Sequence, residues 1–353
     1  MAAYTTIDNP ELYFQTKLYT GTGTDGETIT LDGDTDMLPT FIWIKDRGNN
    51  STSHHLIDSE RGGTRNLMSD NTGAEQSDSM ITAFNADGFD LGTYSEVNTD
   101  DNTYVAWCWK AGTQSSNDAS ATGVGSIDSN ISVSTDAGFS ITTYTGIGSA
   151  GTIAHALSAV PKLIIYKKRN DTSNWFVYHA FVEEDDRLKL NTNVAAASSN
   201  FMNNTAPTSS VFSVHGEGAL NESGGTFLTY LFSEKQGFSK FGSYTGNGNA
   251  DGTFVFLGFK PAFVLIKKSN STGTSWIIFD NKRLGYNGSN YTLAPDSTND
   301  AATGDNGAID LLSNGFKCRD TDSGANASGD TYIYMAFAEA PFVNSKGVPC
   351  NAR

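Results

Sequence analysis

The chain has 353 residues, 11% of them aromatic, and its 39 acidic residues outnumber 23 basic ones for a formal charge of −16. Such a length suits two or three domains, and the aromatic content excludes a disordered chain. The acidic balance argues against affinity for nucleic acid, which needs a basic stripe to neutralise phosphates, and against an anionic membrane surface.

Met1-Ala2-Ala3-Tyr4-Thr5 carries neither a basic region nor an apolar core. No stretch approaches the ~18 apolar residues of a membrane span, so neither a secretory signal nor a span is expected. Residues 1–18 read as an N-terminal extension.

A first unit, 19–112, opens with Tyr19-Thr20-Gly21-Thr22-Gly23. Gly21 to Gly26 match GxGxxG, but a dinucleotide site needs those glycines to open a helix. Here Glu27-Thr28-Ile29-Thr30-Leu31 reads as a strand, and Asp25-Gly26 is a favoured hairpin dipeptide. Asp32-Gly33-Asp34-Thr35-Asp36 spaces three carboxylates as a calcium loop does, without the EF-hand continuation, and reads as a solvated acidic loop. Pro39 then opens the run Thr40-Phe41-Ile42-Trp43-Ile44-Lys45, followed by His54-His55-Leu56-Ile57-Asp58, an Asp87-Gly88-Phe89 turn and Thr103-Tyr104-Val105-Ala106-Trp107-Cys108-Trp109. In that last run Tyr104, Ala106 and Cys108 face one way and Val105, Trp107 and Trp109 the other. Both faces are apolar, which predicts a strand buried on both sides or covered by a neighbouring unit.

Residues 113–143 read as a linker rich in Ser, Gly, Asn and Asp, followed by a leading strand. The landmarks then return. Tyr144-Thr145-Gly146-Ile147-Gly148, Pro161-Lys162-Leu163-Ile164-Ile165-Tyr166-Lys167, Trp175-Phe176-Val177-Tyr178, Val211-Phe212 and Thr226-Phe227-Leu228-Thr229-Tyr230-Leu231-Phe232 mark a second unit over 144–238. Its residues 183–190 are the best helix candidate in the chain. Tyr244-Thr245-Gly246-Asn247-Gly248, Pro261-Ala262-Phe263-Val264-Leu265-Ile266-Lys267, Trp276-Ile277-Ile278-Phe279, Asn314-Gly315-Phe316 and Thr331-Tyr332-Ile333-Tyr334-Met335-Ala336-Phe337 mark a third over 239–342, leaving 343–353 as a C-terminal extension. Short β-branched and aromatic runs bounded by breakers predict an all-β chain: three tandem β-sandwich (jelly-roll-like) units of about 95–100 residues. The basic runs Lys167-Lys168-Arg169 and Lys267-Lys268 sit at strand ends, where a solvated position is expected.

Nothing in the pattern assigns a catalytic, cofactor-binding or metal-binding residue. His54, His55, His155, His179 and His215 show no ligand spacing, and His54 and His55 point to opposite faces of a strand. Cys108, Cys318 and Cys350 form no paired framework. No GxSxG elbow occurs. Asp300, Asp305 and Asp310 are a loose acidic group. Trp43, Trp175 and Trp276 lie in apolar runs, so core packing outweighs a sugar-stacking platform.

Taken together, Tyr-Thr-Gly-x-Gly, the proline-led run ending in Ile-Lys, the Asp-Gly-Phe turn, the closing segments and the junction Gly237-Phe238-Ser239-Lys240-Phe241-Gly242-Ser243-Tyr244 resemble a tandem repeat of structural proteins in marine and cyanobacterial tailed bacteriophages. The resemblance runs from Tyr19 to Phe342. It implies a non-enzymatic virion component on the particle surface, a capsid decoration, knob, fibre or tail part. Its expected partners are major capsid or tail proteins, with a homo-oligomer expected and host-surface glycan as a further candidate. The alternatives are a receptor- or carbohydrate-binding tail protein and a polysaccharide depolymerase. Three similar units also fit around a pseudo-threefold axis matching a symmetry centre of a shell.

Overall fold

Alternating β-branched and aromatic residues pack well on a pleated surface, and the segments that carry them become strands. The computed structural model describes residues 5–350 except 50, 184, 217, 284–286, 288, 289 and 304–306. The fold is all-β, in antiparallel sheets. Among the described residues the helices are single turns: Pro10–Leu12, Ser95–Asn98, Ala119–Thr122 and Gly218–Asn221.

One plan recurs three times. A lead strand carrying Tyr-Thr (Phe14–Thr20, Phe139–Thr145, Ser239–Thr245) pairs with a closing strand (Thr103–Trp109, Thr226–Phe232, Thr331–Pro341). The closing strand pairs on its other side with the proline strand (Phe41–Asp46, Leu163–Lys168, Phe259–Lys268), and that with a back strand (His55–Asp58, Phe176–His179, Ile277–Asp280). This wall sheet is covered by a smaller cap sheet: Glu27–Thr30 with Gly88–Leu91 and Ile81–Asn85, Gly151–Ala154 with Val211–Val214, Phe254–Phe256 with Gly315–Cys318 and Ile309–Leu312. In the first unit Ile29, Phe89 and Leu91 of the cap pack on Ile42, Tyr104 and Ala106 of the wall. Lead strand beside closing strand is a jelly-roll pairing, but the wall sheet then continues as a simple meander.

Four expectations need revision. The first lead strand begins at Phe14, inside what reads as an extension, because Phe14 to Thr20 pair along the whole closing strand. The linker is partly strand: Gln114–Asn117 and Ser129–Ser134 extend the second wall sheet. The helix candidate is instead the strand Asp186–Lys189, whose Leu188 is buried and pairs with Val177. A helix of eight residues is marginal in water, whereas an open sheet edge satisfies the same backbone groups. The lysines of the basic strand ends are buried, Lys267 at 0% exposure and Lys167 at 1%, as is the equivalent Lys45 at 0%, while Arg169 stays partly exposed. Each ammonium is taken up by backbone oxygens: Lys45 Nζ donates to Asp46 O and Asn49 O, Lys167 Nζ to Thr72 O and Ser173 O, and Lys267 Nζ to Thr274 O. Burial still pushes all three pKa values down to about 8.

The second face of each wall sheet is covered by the other two units. Trp109, Phe232 and Phe337 occupy the same seventh position of the three closing strands. Their rings meet in a triangle with centroid separations of 6.4, 5.6 and 5.7 Å. Phe41 stacks on Tyr230 at 4.2 Å and Phe14 on Phe337 at 5.3 Å, so one apolar core spans all three units.

Because this core is shared, calorimetry should show one unfolding transition rather than three. Trp109→Ala should cost about 3–5 kcal/mol. Trp109→Phe should stay within about 1 kcal/mol of the parent: the buried Trp109 Nε1 has no hydrogen-bond partner, and removing an orphan donor offsets the small cavity.

Candidate functional site

Two triplicated constructions stand out: a clamp that holds each Tyr-Thr-Gly-x-Gly loop, and a set of seams that closes the three units into a ring.

The clamp is built on an asparagine five residues before each closing strand's threonine. Asn98, Asn221 and Asn326 are all essentially buried. Their side-chain oxygens accept from Thr22 N, Ile147 N and Asn247 N at 3.0, 2.9 and 3.0 Å. Their amides donate to Thr24 O, Ser149 O and Asn249 O at 2.8, 2.5 and 2.8 Å. Their own carbonyls accept from the second glycine, Gly23, Gly148 or Gly248, at 2.7–2.9 Å. That glycine lies at φ 67, 75 or 63°, a region that suits glycine. The tyrosine completes the device. Tyr19, Tyr144 and Tyr244 hydroxyls donate to Val97 O, Leu220 O and Ala325 O, and their rings stack on Tyr104, Phe227 and Tyr332 at 5.0–5.1 Å. At the first glycine a Cβ would lie 2.2–2.3 Å from a carbonyl oxygen, so no side chain fits. The glycines thus serve a turn, and Thr22, Ile147 and Asn247 between them are exposed.

The seams follow a cyclic order. Glu75 N donates to Arg169 O at 2.7 Å (first unit to second), Ala196 N to Ser269 O at 2.8 Å (second to third), and Ala301 N to Arg47 O at 3.0 Å (third to first). Deeper in, Asp58, His179 and Asp280 hold equivalent places opposite Phe41, Leu163 and Phe263. Asp58 accepts from Tyr230 Oη at 2.7 Å, His179 Nε2 meets Tyr334 O at 3.1 Å, and Asp280 accepts from Trp107 Nε1 at 3.0 Å. Arg61 and Arg283 each donate to the aspartate three residues earlier. Trp175 and Trp276 indoles donate across the seams to Met68 O and Lys189 O, both at 2.8 Å. Between the first two units, Arg169 binds Glu75 through Nε and Nη2. Against the opposing effect of burial, Arg169 and Arg61 hold the Glu75 carboxyl below its usual range.

The residues weighed from sequence are placed as follows. Trp43, Trp175 and Trp276 are at most 2% exposed and offer no platform for a sugar. His54 stacks on Trp107, while His55 on the opposite face meets Asn66 and Glu96. Asp32 pairs with Lys17, and Asp34 N bonds Glu11. Among the described residues no group of three His, Cys, Asp or Glu is placed to hold a metal ion. Asp310 pairs with Arg319, and Asp305 lies outside the described residues. Cys108 and Cys318 are buried and unpaired, and Cys350 is exposed. No helix among the described residues is long and apolar enough to cross a membrane. A depression of 630 Å³ is an open trough lined by Ser116, Asn130, Thr143 and Arg169 among others. The three asparagines escaped sequence reasoning, although their constant offset from the closing threonine was a usable signal.

Fold and seams define a single-chain, pseudo-threefold all-β ring. The chain belongs to the family described as Domain of unknown function (DUF7483), whose model matches residues 9–341. No curated protein and no solved structure matches it.

Asn221→Ala or Asn326→Ala should cost about 2 kcal/mol, since two or three part-buried backbone groups lose their partner. Limited proteolysis should then cut the corresponding glycine loop, which the parent protects.

Burial lowers the pKa of His155 and of His179 to about 4. Unfolded histidine titrates near ~6.5. The unfolded state therefore binds more protons below that pH, and stability falls as pH drops from 6.5 toward 4. A fully buried histidine contributes on the order of 3 kcal/mol to that loss. Melting temperatures across this window should fall, and His179→Gln, which keeps a donor for Tyr334 O, should flatten the slope.

Proposed function

We propose that the chain is a structural component of a bacteriophage particle, displayed on its surface and acting through protein–protein contacts. The observation that carries this reading is the closed cycle of three equivalent seams around the Trp109–Phe232–Phe337 triangle. One chain thereby presents related surfaces three times in a fixed geometry, a single-chain counterpart of a trimer. Such an object suits a threefold position on a shell or the axis of a tail, where weak contacts made three times combine through effective concentration. The resemblance of the repeats to phage structural proteins and the net charge of −16, which favours solubility at a particle surface, point the same way.

The test is the composition of purified particles. Mass spectrometry of gradient-banded virions should find this chain in fixed stoichiometry, and gold-labelled antibody should mark the particle exterior. Its absence from intact virions, with the protein present only in lysate, would sink the proposal.

A further inference from the structure

The three units act as internal controls for one another: a feature required by the fold recurs in all three, and one that occurs once asks for another reason. The outer face of the third cap sheet is such a case. Its edge strand Phe254–Phe256 alternates exposed, buried, exposed. Val255 pairs with Phe316 and lies in the core, as Ile29 pairs with Phe89 and Ile153 with Phe212 in the other units. The flanking positions are the exposed Thr28 and Thr30 in the first unit, and in the second the half-buried Thr152 and the buried Ala154. In the third they are Phe254 and Phe256, 45% and 54% exposed. Two of three copies build this strand without an outward aromatic, so the fold does not demand one.

The surroundings are shaped and mixed in polarity. Phe256 forms one wall of a 290 Å³ depression whose other sides come from Glu234, Gln236, Ser239, Lys240 and Phe342. Lys240 Nζ lies 5.3 Å from the Phe256 ring centre and donates to Phe256 O at 2.9 Å, which steadies the ring. Opposite Phe254 stands Lys317, paired with Asp251. Residues i and i+2 of a strand share a face about 6.6 Å apart, so the two rings form a short apolar strip edged by ammonium, carboxylate and amide groups.

We propose that this strip binds a glycan, with the two phenylalanine faces stacking on the C–H faces of successive sugar rings while Glu234, Gln236 and Lys240 bind hydroxyls. The electron-rich ring face attracts polarised C–H groups, and the rim supplies both donors and acceptors. The size fits this occupant rather than a protein. A stable protein interface needs about 800 Å² per partner, more than two phenylalanines supply at roughly 150–250 Å² each. The depression instead falls near the lower end, about 300 Å³, of small-molecule sites. This inference is independent of where on a particle the chain resides.

The experiment is calorimetric titration of the full chain with soluble oligosaccharides built from glucose, galactose, mannose and N-acetylglucosamine. At least one member should bind, and the Phe254→Ala/Phe256→Ala double variant should bind about tenfold or more weakly while keeping the parent melting temperature. Phe254→Tyr/Phe256→Tyr keeps the rings and should retain binding, and Thr28→Ala/Thr30→Ala should leave it unchanged. Three results would overturn the proposal: no binding by any sugar of the panel at millimolar concentration, equal binding by the double alanine variant, or parent self-association in sedimentation that the double alanine variant abolishes, which would assign the strip to a second copy of this chain.

Discussion

The structure depends on a wall sheet that is apolar on both faces. A sheet with one apolar face needs one covering layer, and a sheet with two needs two. Each unit supplies the first layer itself, as its cap sheet. The second comes from the neighbouring units, and three sheets covering one another around a common line bring Trp109, Phe232 and Phe337 together. The units are therefore not beads on a string.

The seams illustrate how a repeated plan tolerates substitution. Equivalent places are held by Asp58, His179 and Asp280, and their partners across the seam are a phenol, a backbone carbonyl and an indole. What is kept is a polar pair bridging the buried edge; the chemical means differ. A buried ion pair such as Asp58–Arg61 adds little net stability, but leaving one partner alone is costly. The exposed outer positions of the first cap strand are under no such constraint, which is why the phenylalanines of the third unit stand out against Thr28 and Thr30.

Much of the fold was legible in the sequence. The closing strands announced burial on two sides through their unbroken apolar pattern, and Cys108 and Trp109 do face different cores. The glycine motifs declared themselves as turns because strand-forming residues follow them. Less visible were long-range partners. Lys167 and Lys267 look like solvated strand ends until the folded chain curls carbonyl groups around them, as it does around Lys45. Residues 183–190 look helical because their charge hides Leu188, the one side chain buried within the strand Asp186–Lys189.

By itself the sequence determined the all-β class and the strand and turn landmarks that recur three times, since these rest on local properties: the two-residue period of a strand, the torsional freedom of glycine, the fixed φ of proline. Tertiary structure alone decided that the units close into a ring, that Asn98, Asn221 and Asn326 clamp the loops, and that Phe254 and Phe256 remain outside while other aromatics go in. Those outcomes depend on which distant surfaces meet, and a period or a motif records what a segment prefers but not what will cover it.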